Sequence, residues 1–232
     1  MPNWVDNTLT VEGSPEAVMQ LKAQMNKPFS YSVQAVGDLA FEIKEVTYSN
    51  PVFSFWNIVA PPADKLEEYQ STHGYENGQR VGETPYNWYN FNTREWGVKW
   101  DVAVSDDEKY SETQLINDEP NGENHVLVYR FRTPWGIADE ALSKLSAQYP
   151  TLLLTLEYEE ETGWGGQAEF LRGNFTSLGE YNWICWQCDY AETADPDSNY
   201  CEDCDGLICP QCNHSNWVDV RCEKHKETAN VL

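Results

Sequence analysis

Cysteine is missing from the first 184 residues of this 232-residue chain; all seven stand in the last 48. That absence excludes a disulfide-stapled main domain and a thiol nucleophile within it, and it points to a reducing compartment. Bases are scarce as well, with 15 Lys and Arg against 38 Asp and Glu and a formal net charge of −23. Nucleic-acid binding gains most of its strength from Lys and Arg neutralising phosphates, so ordinary DNA or RNA binding is disfavoured. No run approaches the roughly 18 uninterrupted apolar residues of a membrane-spanning helix. The opening Met1-Pro2-Asn3-Trp4-Val5-Asp6 has neither the positive nor the apolar region of a secretory signal. There is no GxSxG elbow, P-loop, strand-borne GxGxxG or HExxH. A cytoplasmic protein that acts by binding is the expectation.

What is present suffices for one medium domain and one small one: hydrophobic residues make up 41%, including 10 Trp and 13 Tyr. Val5, Asn7, Leu9 and Val11 alternate with Asp6, Thr8, Thr10 and Glu12, which predicts a strand. After Gly13, Ser14 suits a helix N-cap, Pro15 the first helical position and Glu16 the first turn; Val18, Leu21 and Met25 share one helical face. A second strand is expected over Phe53–Val59, stopped by Pro61-Pro62. Residues 63–120 read as a long insertion: a short helix near Asp64–Tyr69, a Gly-rich loop, an aromatic segment and an acidic loop. Regularity returns with a strand over Val126–Arg132 and a helix carrying Ala138, Ala141, Leu142, Leu145 and Tyr149 on one stripe. Strands follow over Leu152–Glu159 and Gln167–Arg172. The expected fold is α+β over residues 1–180: a ferredoxin-like sheet with two helices on one face and a long insertion. A small C-terminal zinc-stabilised module is expected over 183–232.

Three short segments carry a family resemblance. Met1-Pro2-Asn3-Trp4-Val5-Asp6-Asn7-Thr8-Leu9-Thr10-Val11, Trp96-Gly97-Val98-Lys99-Trp100-Asp101 and Phe131-Arg132-Thr133-Pro134-Trp135 resemble signatures of the YubB-like proteins of bacteriophages and plasmids. In that family the first motif usually has a cysteine where Val5 stands here. The second usually reads Asn-Trp-Gly-Thr-Lys-Trp-Asp, against Glu95 and Val98 in this chain. The resemblance spans about residues 1–180 and implies a ferredoxin-like domain of phage or plasmid origin; it transfers no catalytic residue.

The tail reads C-x2-C-x12-C-x2-C-x4-C-x2-C-x9-C-x2-H, pairing Cys185 with Cys188, Cys201 with Cys204, Cys209 with Cys212 and Cys222 with His225. A CxxC turn lets two thiolates grip one ion, and Zn²⁺ takes four such ligands in a tetrahedron, so eight ligands fill two closed, structural sites. The expected cofactor is therefore two Zn²⁺ per chain. Four residues between Cys204 and Cys209 are too few for the second and third pairs to share a metal. A cross-brace (pairs one with three, two with four) and a sequential arrangement both remain. The x4 spacing resembles B-box and ZZ-type cross-brace fingers. His214 lies outside the pair pattern and reads as an exposed histidine.

Remaining candidates for chemistry are few. His73 and His125 read as isolated surface or loop histidines, and the run Glu157, Glu159, Glu160, Glu161 as a solvated hairpin tip. The segment Tyr86–Asn92, followed by Trp96, Lys99, Trp100 and Asp101, mixes rings with amides and a cation. Trp88, Trp96, Lys99, Trp100 and Asp101 could line a base- or sugar-binding groove, or cover a sheet face beneath the insertion. The expected function is a phage- or mobile-element-encoded zinc-binding protein that binds a host protein with a basic surface, such as a nucleic-acid-handling or defence factor. Two alternatives stand beside it. One is a hydrolase or transferase using carboxylates near the aromatic insertion. The other is a nucleic-acid-binding zinc finger relying on Arg221, Lys224 and Lys226.

Overall fold

The alternation that begins at Val5 becomes β1 (Trp4–Gly13), with Val5, Asn7, Leu9 and Val11 all buried. In the computed structural model of the chain, residues 2–36, 41–70, 74–76, 79–81, 84–181, 183–184, 191–192, 200–201 and 206–207 are described. Helix α1 (Pro15–Met25) starts where Ser14 Oγ accepts the Ala17 N–H, and it buries Val18, Leu21 and Met25. A hairpin follows, β2 (Phe29–Val36) and β3 (Phe41–Tyr48), then a 3₁₀ turn at Ala63–Lys65 leading into α2 (Leu66–Gln70). Strands β4 (Gly74–Glu76) and β5 (Gln79–Val81) pair, and α3 (Trp88–Glu95) comes next. The chain then runs through β6 (Gln114–Asn121), β7 (Asn124–Pro134), α4 (Asp139–Gln148), β8 (Leu153–Glu160), β9 (Gly165–Leu171) and β10 (Asn174–Tyr181). It ends, within the described residues, in the two-residue strands β11 (Trp183–Ile184), β12 (Ala191–Glu192), β13 (Tyr200–Cys201) and β14 (Gly206–Leu207).

Six strands form one antiparallel sheet in the order β10-β9-β8-β1-β7-β6. Four adjacent strands at one side of it, β8-β1-β7-β6, linked through α1 and α4, make the β-α-β-β-α-β ferredoxin-like arrangement. Helix α1 packs on β1 and β7, and α4 on β8, β9 and β10. Both helices cover the face bearing Leu9, Val11, Leu127, Leu154 and Leu156, each fully buried. No helix among the described residues is long and apolar enough to cross a membrane.

Two expectations need correcting. Phe53–Val59 is not a strand. Val52 has φ +64°, and the Ile58 and Val59 N–H groups both donate to the Phe55 carbonyl, so the backbone turns instead of extending. The apolar pattern there reflects burial of a loop: the Phe53 ring lies 5.0 Å from Tyr129 and 5.2 Å from Phe131, centroid to centroid. The strand that fills this topological role is β6, inside the stretch read as an acidic loop. It pairs only with β7 and is largely exposed, which suits its polar residues and Pro120 to a sheet edge. The excursion between α1 and the next core strand therefore covers residues 26–113. It is welded to the core by Phe53, Phe55, Phe91 and Trp96.

Candidate functional site

Among the described residues, helices cover one face of the sheet and leave the other open. Register fixes which side chains share the open face: Arg132, Asp6 and Glu159 form one cross-strand row, and Arg130, Thr8, Glu157 and Gln167 the next. A bulge between Ser177 and Gly179 bends β10 beside them. The result is an open hollow of about 830 Å³ lined by Asp6, Glu157, Glu159, Glu180, Arg130 and Tyr181, among others. Asp6 is held by Arg132 at 2.7 Å, and Gln167 donates to Glu157 at 3.3 Å. Burial, followed by the nearby charges of Glu159 and Glu157, pushes the Tyr181 hydroxyl above its ordinary pKa.

Of the run Glu157, Glu159, Glu160 and Glu161, three are exposed as expected and Glu160 is not. Strand alternation sends Glu157 and Glu159 to the open face and Glu160 into the interior, where it is 1% exposed. Its Oε2 accepts the Thr162 N–H at 2.7 Å and also the Thr162 hydroxyl. His125 stands on β7 with Nε2 2.7 Å from Asp118, whose carboxyl also takes Lys22 of α1. The hydrogen bonds from Lys22 and His125 hold the Asp118 carboxyl below its ordinary range. This trio ties β6 and β7 to α1.

The aromatic insertion supplies a second assembly. Asn87 caps α3, accepting the Asn90 N–H at 3.0 Å, and Lys144 of α4 grips the other end through the Glu95 carboxyl (2.8 Å) and carbonyl (2.7 Å). The chain then turns at Gly97, whose φ is +80° and where a Cβ would sit 2.4 Å from Asp139 Oδ1, so only glycine fits without a shift. Beyond it the five expected contacts divide. Trp96 is 1% exposed and donates Nε1–H to the Val59 carbonyl at 2.9 Å. Asp101 is enclosed, accepting the Phe55 and Val102 N–H groups at 2.7 Å each, the Trp56 N–H at 3.2 Å and the Ser54 hydroxyl at 2.7 Å. Burial pushes its carboxyl above the ordinary range, against the pull of these four donors. Trp96 is thus placed in the interior, and Asp101, half-buried, has its carboxyl committed to these four donors.

Trp88, Lys99 and Trp100 gather at the surface. The Lys99 ammonium lies 4.9 Å from the Trp100 ring centroid, 5.5 Å from Trp88, 5.8 Å from Tyr89 and 5.3 Å from Trp135. Trp135, from the third sequence motif, was not anticipated as a neighbour. It is fixed by donating its N–H to the Asn3 carbonyl at 2.8 Å, with φ +62°. Among the described residues no group of three or more His, Cys, Asp or Glu is placed to hold a metal ion. Of the expected zinc ligands, Cys201 lies on β13; Cys185, Cys188, Cys204, Cys209, Cys212, Cys222 and His225 lie outside the described residues, as do His73 and His214.

Strand order and paired helices define a ferredoxin-like α+β domain. Residues 99–198 match the family described as the ferredoxin-like domain in Api92-like protein. A crystal structure of protein api92 from Yersinia pseudotuberculosis is 11% identical, with a TM-score of 0.44 over 80% of this chain and 100% of that one. None of the curated proteins matches this chain.

Proposed function

We propose that this chain is a phage- or plasmid-encoded binding protein whose acidic open sheet face receives a basic segment of a host protein. The observation that carries this reading is the hollow beside β10, where Glu157, Glu159 and Glu180 join Asp6, itself paired with Arg132, and outnumber the one lining arginine, Arg130. In a chain of net charge −23, such a face attracts positive partners at long range and repels phosphate backbones. A nucleic-acid-handling or defence factor has a basic surface of the right sign, and the resemblance to YubB-like proteins supports the mobile origin.

A C-terminal zinc module would supply a second binding surface. Two Zn²⁺ held by Cys185, Cys188, Cys201, Cys204, Cys209, Cys212, Cys222 and His225 would supply the folding energy that so short a segment lacks. The backbone supports the assignment: β11 pairs with β12 on either side of Cys185 and Cys188, and β13 pairs with β14 on either side of Cys204. The first hairpin thus brackets Cys185 and Cys188 in sequence, and the second carries Cys201 on β13 with Cys204 between its strands.

Calorimetric titration of the full chain with a Lys/Arg-rich peptide, at low and high salt, tests the reading. Affinity should fall with salt, and Glu157→Lys with Glu159→Lys together should weaken it by about tenfold or more. Equal affinity for the double variant, or no binding at low salt, would refute it.

A further inference from the structure

The Lys99 cluster borders a hollow of about 390 Å³, a size within the roughly 300–1,000 Å³ of small-molecule sites. Tyr89, Pro134 and Trp135 form its walls, and Lys99, Thr93 and the Tyr89 hydroxyl supply its side-chain polarity. No carboxylate lines it, although the chain carries 38 acids. Asp139, beside Gly97, accepts the Glu140 N–H at 2.9 Å. Among the described residues, no Asp or Glu lies within ion-pair distance of Lys99, while Lys22, Lys44, Lys65 and Lys144 each have such a partner. The ammonium is half-buried against four rings with no counter-charge.

That chemistry selects a ligand class. A cationic ligand would meet an ammonium already seated among the rings. A neutral sugar would want amide or carboxylate side chains to take its hydroxyls, and the hollow has none. A purely apolar guest would strip water from the ammonium without replacing it. A planar ring bearing an anion satisfies every wall: the ring stacks on an exposed aromatic face and the anion pairs with Lys99. Trp135 is 53% exposed and Tyr89 40%, so both present such faces. Base-on-aromatic stacking next to a cation is the recurring way proteins hold nucleotides without reading their sequence.

We infer that this hollow binds a mononucleotide, with its base on Trp135 and its phosphate on Lys99. The net charge of −23 favours a single nucleotide over a strand, because each added phosphate adds repulsion from a chain of the same sign while the hollow itself supplies one cation, Lys99. This site is separate from the acidic sheet face and stands whether or not a basic protein docks there.

Tryptophan fluorescence of the full chain, titrated with AMP, adenosine and a short oligothymidylate, tests it; free tryptophan amide corrects for absorption by the bases. AMP should quench saturably and adenosine should bind about tenfold more weakly, the share expected of one charge-assisted contact. Lys99→Met should reduce AMP to the adenosine level while Lys99→Arg keeps it, and Trp135→Ala should weaken both ligands. Equal binding of AMP and adenosine, or a Lys99→Met variant that binds AMP normally, would overturn the phosphate assignment. Tighter binding of the oligonucleotide than of AMP would overturn the mononucleotide. If Lys99→Met does not fold, indole N–H shifts in the unaltered chain decide. Two indole signals should move with AMP; a spectrum that AMP leaves unchanged overturns the site.

Discussion

Asp101→Ala isolates the difference between a structural acid and a ligand contact. The Asp101 carboxyl receives three backbone N–H groups, from Phe55, Trp56 and Val102, and the Ser54 hydroxyl. Alanine leaves the hydroxyl free to rotate toward another acceptor, but the three N–H groups are fixed by the turn they belong to. An orphaned buried donor costs about 1–3 kcal/mol, and with some water entering the gap the sum comes to about 3–5 kcal/mol. Because these donors hold Phe55 beneath Phe131 and Trp96, the loss falls on the main core and not on a local loop. Asp101→Asn keeps the size and one acceptor oxygen while turning an amide N–H toward donors, so about 2–3 kcal/mol is expected. Urea unfolding followed by tryptophan fluorescence and circular dichroism measures both. With a slope of about 2–3 kcal/mol/M, the alanine midpoint should drop by about 1–2 M with the slope unchanged. An unfolding free energy within about 0.5 kcal/mol of the parent, the range of ordinary surface substitutions, would refute the reasoning.

Trp96→Phe should cost about 2–3 kcal/mol, since it removes the 2.9 Å bond to the Val59 carbonyl and opens a gap in the core; thermal melts read it directly. Asp118 governs part of the acid limb. Its folded pKa is held below the ordinary 3.8, so its contribution is present above that value and is lost as pH falls through the depressed one. Asp118→Asn should therefore lower stability by about 0.5–1 kcal/mol at neutral pH, and the deficit should vanish in acid. Elemental analysis should return two zinc per chain. A strong chelator should release both and unfold the tail while the β1–β10 sheet keeps its circular dichroism; recovery of iron, or of no metal, would sink the zinc assignment.

Legibility in the sequence followed the strength of local patterning. β1, α1, β7, α4 and β8 were visible because their apolar residues repeat at a single period and α1 carries a Ser-Pro start. β6 was not, because Gln114–Asn121 owes its extended form to pairing with β7 and buries almost nothing. α3 begins Trp88-Tyr89-Asn90-Phe91, residues with modest helix propensity, and is set by the Asn87 cap and the burial of Phe91. The β2–β3 hairpin carries a period-two signal of its own: Phe29, Tyr31 and Val33 alternate with Ser30, Ser32 and Gln34, and the Phe29 and Tyr31 rings stack with Tyr48 and Trp56. At the aromatic cluster the right residue types were picked out. Separating buried Trp96 and hydrogen-bonded Asp101 from the Trp88, Lys99 and Trp100 cluster needed the turn at Gly97, and Trp135 joins that cluster only through tertiary structure.

The placement of the excursion 26–113 governs the order of assembly. β1 is completed by residue 13, yet its two pairing partners begin at residues 124 and 153. At roughly 5–20 residues per second of synthesis, the strand waits on the order of ten seconds for a neighbour. Contacts this distant along the chain also slow folding once the whole length is available. During that interval an amphipathic ribbon, Val5 to Val11 on its greasy side, hangs from the ribosome unprotected. A holdase that recognises such ribbons is therefore the first cellular component this protein should meet.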